Sequence, residues 1–255
     1  AYLVRQQEEL FNVVVDNKKR REERKGFRKE MEAVLPLAIY TADSYLNSIT
    51  VSPDEKYVTF ILSSYPNSDN THVEEHVNET GATQPINARP KIGRQDPTHK
   101  LGIYDLEKKE VNYVSIENLE GARQLPEFLI EYNKGTTSDE PKNVIFHGPY
   151  YSKDGKAIIE VKSYDNKDRW IANLNLETGI LNQMEHQHDA AWIGGPGISG
   201  WNEVPGNIGW LNDNKTIYFQ SEESGYSHLY LYDTEKSKKT QLTKGEFEIH
   251  SAALS

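Results

Sequence analysis

The sequence predicts an all-β protein, a partial β-propeller of four-stranded antiparallel blades preceded by an N-terminal helix. Three observations support this prediction. A turn-and-strand pattern occurs three times, each copy is followed by a further alternating apolar segment, and the 255 residues include 15 tyrosines and 4 tryptophans, which suit pleated, half-buried surfaces. Four short antiparallel strands per repeat are typical of propeller blades, which bury their faces against neighbouring blades.

Each repeat begins with the end of a strand, a tight turn that contains aspartate, and a new strand. Aspartate in such a turn can hydrogen-bond its own backbone, while Gly155 and Asn214 tolerate the left-handed conformation that hairpin turns need. The three segments run over residues 51–60, 151–160 and 210–219.

A third strand is predicted in each repeat, over residues 101–106, 170–176 and 228–233, and a polar turn into a fourth strand follows it. The interval from the turn aspartate to the end of this strand is 21 positions in the second repeat and 20 in the third, but 51 in the first. The first repeat therefore carries an insertion of about 30 residues. We assign it to residues 66–99, which are rich in Asn, Thr, Pro and Asp.

The predicted organisation is a helical segment over residues 1–34, followed by about three blades and the start of a fourth over residues 35–255. The helix has a short apolar stripe before a charged half, as expected of a packing helix that continues into solvent, and it lacks the sustained heptads of a coiled coil. A propeller closes with about four to eight blades, so we predict an arc of a larger ring. Its open blade edges predict self-association.

Composition excludes several classes of function. The net charge of −10 argues against a nucleic-acid partner. No apolar run approaches the roughly 18 to 20 residues of a membrane span, and the amino terminus lacks a signal-peptide layout, so no membrane association is expected. The absence of cysteine excludes disulfides and thiolate metal sites.

A glycine-rich segment over residues 194–200, GGPGISG, matches two catalytic motifs by spacing alone. Its glycines fit the G-x-G-x-x-G phosphate loop, but that loop needs a helix directly behind it, and Pro205 follows too soon. Ser199 fits a G-x-S-x-G nucleophile turn, whose last glycine is replaced by Trp201. We interpret the segment as an inter-blade loop, and we predict no cofactor and no nucleotide-dependent oxidoreductase.

Two acidic pairs and one histidine pair remain as candidate functional residues. Glu74 and Glu75 are interpreted as a solvated loop within the insertion, and the pair at residues 222–223 as a hairpin tip, because charged pairs are usually exposed. His186 and His188 would point to one face of a strand, as two imidazole ligands of a metal ion would, with a carboxylate nearby. The sequence places no third ligand, so a polar linker between blades is preferred and no metal site is predicted.

The third repeat contains a distinctive string over residues 219–231, FQSEESGYSHLYL, followed by QLTKGEFE over residues 241–248. These strings resemble the propeller of the dipeptidyl peptidase IV branch of the prolyl oligopeptidase family of serine peptidases, where a blade carries S-E-x-x-G-Y-x-H-L-Y and ends in a Q-L-T type turn. Residues 89–93 and 97–101 look like the Y-P-K-x-G-x-x-N-P-x-x-x-L segment of that branch. The resemblance covers most of residues 35–254.

The resemblance implies an eight-bladed propeller that covers an α/β-hydrolase domain and restricts access to short or unstructured peptides. The catalytic Ser, Asp and His would lie in that hydrolase domain, so no catalytic residue is expected here and the chain alone should be inactive. The implied partners are a peptide substrate and the hydrolase domain. The implied location is extracytoplasmic, in a bacterial periplasm or secreted.

The resemblance also bears on substrate contacts. The family reads a free substrate amine with a paired glutamate upstream of the first aspartate turn, but residues 37–43 contain no such pair, so aminodipeptidase specificity is not expected. The loop near the family's extended substrate site also lacks the family's arginine. Five residues are predicted to face substrate. Three lie in this loop and two form the acidic pair at the hairpin tip: Trp201, Asn202, Glu203, Glu222 and Glu223.

An alternative function stays open at this point. A propeller arc could serve as a stand-alone module that binds a protein or a glycan, with no peptidase activity.

Overall fold

The computed structural model describes residues 2–31, 38–67, 70–90, 93, 95–133, 135–198 and 204–253. The chain divides into two compact units, Ala1–Ile39 and Tyr40–Ser255. The first unit contains one helix, α1 (Tyr2–Glu30), which confirms the predicted helix. Its apolar residues include Phe11 at 71% and Val14 at 63% exposure, and the expected packing role of the helix stays a prediction. No helix in the described part of the chain is both long and apolar enough to cross a membrane.

The second unit consists of three four-stranded antiparallel sheets that follow one another along the chain, which confirms the predicted blade architecture. Sheet 1 comprises β1 (Tyr45–Val51), β2 (Tyr57–Ser64), β5 (Thr98–Asp105) and β6 (Glu110–Tyr113), and the hairpin of β3 (Asn70–Glu75) and β4 (Gln84–Pro90) lies between β2 and β5 in the chain. Sheet 2 comprises β7 (Val144–Tyr151), β8 (Ala157–Ser163), β9 (Asp168–Leu174) and β10 (Leu181–His188). Sheet 3 comprises β11 (Ile208–Trp210), β12 (Thr216–Ser221), β13 (His228–Asp233) and β14 (Lys238–Gln241). A short helix, α2 (Glu127–Asn133), lies between sheets 1 and 2 in the chain.

The first turn of every sheet adopts the left-handed backbone conformation that the aspartate pattern predicts. The residues at this position are Glu55, Gly155 and Asn214, with φ angles of 58°, 87° and 55°. In sheet 3, Oδ1 of Asp213 accepts hydrogen bonds from the backbone N–H of Lys215 and of the next residue, both at 2.9 Å. These bonds, led by the one from Lys215, lower the pKa of Asp213 to about 2. Asp213 is therefore ionised when it accepts these hydrogen bonds and holds the turn.

The insertion in sheet 1 forms structure of its own. Glu74 and Glu75, interpreted from the sequence as a loop, lie in β3 and pair with β4, and neither is buried. The loop interpretation is therefore wrong, because the insertion is long enough to close a hairpin. Strand β5 already begins at Thr98, and Nδ1 of His99 lies 2.6 Å from the Ser63 hydroxyl of β2.

Sheet 2 is the middle layer, and its β8 is buried along its full length. Because side chains alternate across a strand, Ile159 packs into a core shared with sheet 1, while Ile158 packs into a core shared with sheet 3. Burying a side chain of this size contributes about 1.5–3 kcal/mol. Both faces of the second sheet therefore depend on a neighbour, as expected of a blade. The core with sheet 3 comprises Ile158, Ile171, Ile208, Ile217, Phe219, Tyr230 and Tyr232.

The chain beyond β14 does not add a strand within the described residues, since residues 242–253 form none. The backbone N–H of Ile249 instead donates to the carbonyl of Ser227 at 2.9 Å. The fourth blade predicted to start at residues 246–251 stays a prediction.

We predict self-association through β1, which pairs only with β2 in the described part of the chain. Its exposed apolar side chains include Ile49 at 64% and Tyr45 at 64% exposure, and unpaired apolar edges favour association. Sedimentation velocity should therefore show concentration-dependent dimers or larger species. The Ile49→Lys variant should shift the distribution toward monomer, whereas Ile180→Lys, at an exposed turn before β10, should not. A wild-type chain that remains monomeric at high concentration would contradict this prediction.

Candidate functional site

A polar cleft of about 380 Å³ lies between the end of β10 in sheet 2 and the turn after β12 in sheet 3. It brings together the hairpin pair Glu222 and Glu223 and the histidine pair that the sequence singled out. The other predicted substrate-facing residues, Trp201, Asn202 and Glu203, lie outside the described residues. The residues that line the cleft are His186, Gln187, His188, Asp189, Ile193, Ser221, Glu222 and Glu223.

His186 and His188 lie in β10, so the interpretation of this segment as a linker is wrong. They occupy alternate positions and share one face of the sheet, as predicted for a strand. The antiparallel register sets His186 opposite Trp170 and His188 opposite Asp168 of β9. The His186 ring stacks on Trp170, with centroids 5.2 Å apart and planes at 6°. Trp170 is fully buried, so it fixes the plane of this imidazole.

Asp168 is the acceptor at the centre of this group. Its Oδ1 lies 2.9 Å from Nε2 of His186 and 2.7 Å from Nδ1 of His188, and its Oδ2 accepts a hydrogen bond from Nζ of Lys142. Burial acts to raise the pKa of Asp168, but the hydrogen bonds from His186, Lys142 and His188 outweigh it and lower the pKa to about 2. An ionised carboxylate only accepts, so both imidazole nitrogens carry their hydrogen toward Oδ1.

Glu222 and Glu223 differ in their electrostatic environment although they are adjacent. The Glu223 carboxylate is 2.6 Å from Nζ of Lys239, which also contacts Glu185 at 2.9 and 3.0 Å. Within the described ranges Glu222 has no cationic partner. Burial raises the pKa of Glu222, and the negative charges of Glu248 and Asp189 raise it further. A hydrogen bond from the Gly194 backbone acts in the opposite direction, but the net shift is upward. Of this adjacent pair, Glu222 is therefore the carboxylate that is available to a cationic ligand.

The glycine-rich loop closes one side of this site, which explains its composition better than either catalytic motif does. A Cβ at Gly195 would overlap the carboxylate of Glu222, and a Cβ at Gly197 would overlap the amide of Gln220. Gly197 also adopts a φ of 69°, in the left-handed region. The described parts of the loop connect β10 of sheet 2 to β11 of sheet 3 without a helix, as the inter-blade interpretation predicts.

A buried ionic cluster contacts the connection between β10 and β11 on both sides of its undescribed residues 199–203. Nε of Arg169 donates to Oε1 of Glu160 at 2.5 Å, and the other oxygen of Glu160 accepts from the Gly206 backbone at 2.9 Å. Nζ of Lys162 donates to the carbonyls of Ile198 and of residue 204, both at 2.9 Å. Burial raises the pKa of Glu160, but the charges of Arg169 and Lys162 outweigh it, so the net direction is downward. Hydrogen bonds from buried side chains therefore hold the described parts of this connection in place.

A second cavity, of about 350 Å³, lies between the first strands of sheets 1 and 2 and is lined by Asn47, Tyr65 and His147 among others. None of its described lining residues is acidic, so the polar cleft is the better candidate for recognition of a cationic group.

Sequence reasoning missed Asp168, Lys142, Lys239 and Arg169. No local motif marks them, since they come from three separate parts of the chain: Asp168 and Arg169 from β9, Lys142 from the segment before β7, and Lys239 from β14. The register that sets His188 opposite Asp168 also includes an irregularity between Gln183 and Glu185, which spacing alone does not reveal.

Three consecutive four-stranded meanders, packed through shared cores and joined by inter-blade loops, define the chain as a propeller-type blade array. The chain belongs to the family of the dipeptidyl peptidase IV (DPP IV) N-terminal region, whose sequence profile matches residues 46–255. The resemblance deduced from the third repeat is thereby confirmed. No curated protein sequence matches the chain significantly.

Solved structures provide a comparison of the fold. Dipeptidyl peptidase 4 from Porphyromonas gingivalis is 13% identical with a TM-score of 0.52, and the match covers 80% of this chain and 25% of that one. A protein assigned as a dipeptidyl aminopeptidase IV from Bacteroides ovatus is 18% identical with a TM-score of 0.47, covering 77% of this chain and 26% of that one. The chain thus spans about a quarter of either protein. At these identities the likeness to the first structure concerns the fold alone.

Proposed function

We propose that this chain is the substrate-gating, non-catalytic propeller segment of a serine exopeptidase or oligopeptidase that resembles dipeptidyl peptidase IV. The observation that carries the proposal is the family match over residues 46–255, which coincides with three successive blade-like sheets. In this proposal an α/β-hydrolase domain elsewhere supplies the nucleophile, and the propeller admits only short or unstructured peptides to it.

The polar cleft is the proposed peptide contact of this segment. Glu222 is half-buried, has no cationic partner within the described ranges, and faces a cavity large enough for one or two amino-acid residues. A desolvated carboxylate of this kind can hold an ammonium or guanidinium group by charge-assisted hydrogen bonds. Glu223 is assigned a supporting role because Lys239 already engages it.

The Glu222→Gln variant should bind short, proline-containing peptides with a free amino terminus about 10- to 100-fold more weakly, because a hydrogen bond to a charged group contributes about 1.5–3 kcal/mol. Isothermal titration calorimetry on the 255-residue chain measures this effect. Acetylation of the peptide should weaken binding to the wild type but not to the variant.

The matched control for this prediction is Glu235→Gln, which removes an exposed glutamate paired with Lys215 at 2.9 Å outside the cleft. We expect no change in peptide affinity. If Glu222→Gln and Glu235→Gln bind peptide equally well, the cleft is not the peptide contact.

The non-catalytic assignment has its own test. The isolated chain should release no chromophore from proline-containing chromogenic peptides above the buffer rate. Turnover that a serine-directed fluorophosphonate abolishes would show a nucleophile within these residues and would overturn the assignment.

A further inference from the structure

We infer that Asp168, His186 and His188 form a binding site for one divalent transition-metal ion of the Zn²⁺ type. The ligand atoms of these three side chains all lie within 4.8 Å of one another, on the adjacent strands β9 and β10. The inference does not depend on the proposed peptidase function, because metal binding is measured directly.

The donor set suits a transition metal better than a hard cation. Two imidazole nitrogens and one carboxylate oxygen form a typical three-residue set for an open Zn²⁺ site, whereas Ca²⁺ and Mg²⁺ prefer oxygen ligands alone. Nε2 of His186 and Nδ1 of His188 already converge on a single oxygen, Oδ1 of Asp168, at 2.9 and 2.7 Å. Ligand atoms at about 2.0–2.1 Å from a tetrahedral ion lie about 3.3–3.4 Å from one another, so each of these two N···O distances needs to increase by roughly half an ångström.

The partners around the three ligands orient them as metal sites require. Lys142 bonds to Oδ2 of Asp168 and leaves Oδ1 directed at the two imidazoles. The other ring nitrogen of His186, Nδ1, lies 3.9 Å from the Glu120 carboxylate, so it has an acceptor nearby when Nε2 binds the ion. Trp170 stacks on the His186 ring and fixes its plane. Second partners of this kind hold ligands in place and increase their basicity.

The remaining coordination position faces the polar cleft. His186 and His188 line the cleft together with Asp189, Glu222 and Glu223. The carboxylates make the electrostatic potential on that side negative. This negative charge offsets the repulsion between the ion and the Lys142 ammonium. A water molecule or an anionic ligand group in the cleft could complete the coordination.

The experiment uses the full 255-residue chain, freed of metal with a chelator and titrated with Co²⁺ and Zn²⁺ salts. We expect one ion per chain and the intense visible absorption of four- or five-coordinate Co²⁺, lost again when Zn²⁺ is added. The His188 side chain is 47% exposed, so the fold should tolerate its replacement. Because His188 is a proposed ligand, His188→Gln should weaken Zn²⁺ binding by more than the 10- to 100-fold that is typical when a residue that only supports the ligands is replaced. Asp168→Asn should do the same.

The control variant is His76→Gln, which removes an exposed imidazole next to Glu74 on the inserted hairpin and should leave the affinity unchanged. Circular dichroism establishes that each variant is folded. The inference is overturned if the wild type gives only the spectrum of octahedral aqueous Co²⁺, or if folded His188→Gln binds Zn²⁺ as the wild type does. In either case the three side chains form a hydrogen-bonded cluster only.

Discussion

Replacing Arg169 with methionine is expected to lower the free energy of unfolding by about 3–5 kcal/mol, because it leaves a buried carboxylate without its main partner. Glu160 is fully buried and Arg169 is 1% exposed. Arg169 also donates to the carbonyl of Gln220 at 2.7 Å and therefore connects sheet 2 to sheet 3. Urea denaturation followed by tryptophan fluorescence measures the loss.

Two further variants test whether the loss of stability comes from the unpaired buried charge. Lys215→Met breaks the exposed pair with Glu235 and should leave the free energy of unfolding nearly unchanged, because exposed ion pairs contribute little to stability. The double variant Glu160→Leu with Arg169→Met also leaves Lys162 without its buried carboxylate partner, so it should be no more stable than Arg169→Met alone. An Arg169→Met variant as stable as Lys215→Met would contradict the buried cluster.

The Phe219→Ala variant is expected to be destabilised by about 3–5 kcal/mol, since it opens a cavity in the core that sheets 2 and 3 share. Phe219 is fully buried and stacks on Tyr230, with ring centroids 5.9 Å apart and planes at 15°. The midpoint of urea unfolding should fall, with the slope of the transition nearly unchanged.

The control for this substitution is Phe128→Ala in α2, where the side chain is 64% exposed. A surface change of this kind should alter the free energy of unfolding by about 0.5 kcal/mol or less. Equal effects of the two substitutions would mean that sheets 2 and 3 do not pack through this face, and the blade arrangement would then be wrong.

The sequence was sufficient for the architecture because its signals are local. A turn aspartate followed by a left-handed residue, as at Asp154 and Gly155, specifies a hairpin within a few positions, and the alternation that follows specifies strands. The blade period followed from the nearly equal spacing of two repeats, 21 and 20 positions. Recognition of the family followed from the string over residues 219–231, a contiguous stretch.

The candidate site was only half predictable, because it is assembled from residues that are distant in the sequence. Glu222 and His188 are visible as members of local pairs, but Asp168 becomes a neighbour of His188 only through the pairing of β9 with β10. Lys142 reaches Asp168 from the segment before sheet 2. The sequence likewise could not show that Lys239 neutralises Glu223 and leaves Glu222 without a cationic partner within the described ranges.

The most direct test of the central proposal is to locate the nucleophile by activity-based labelling. The native protein that contains this chain is captured with an antibody to the chain, treated with a biotinylated fluorophosphonate, and mapped by mass spectrometry. The proposal predicts one labelled serine in the same polypeptide, outside these 255 residues. A labelled serine within them, or a captured polypeptide that takes up no label, would contradict it.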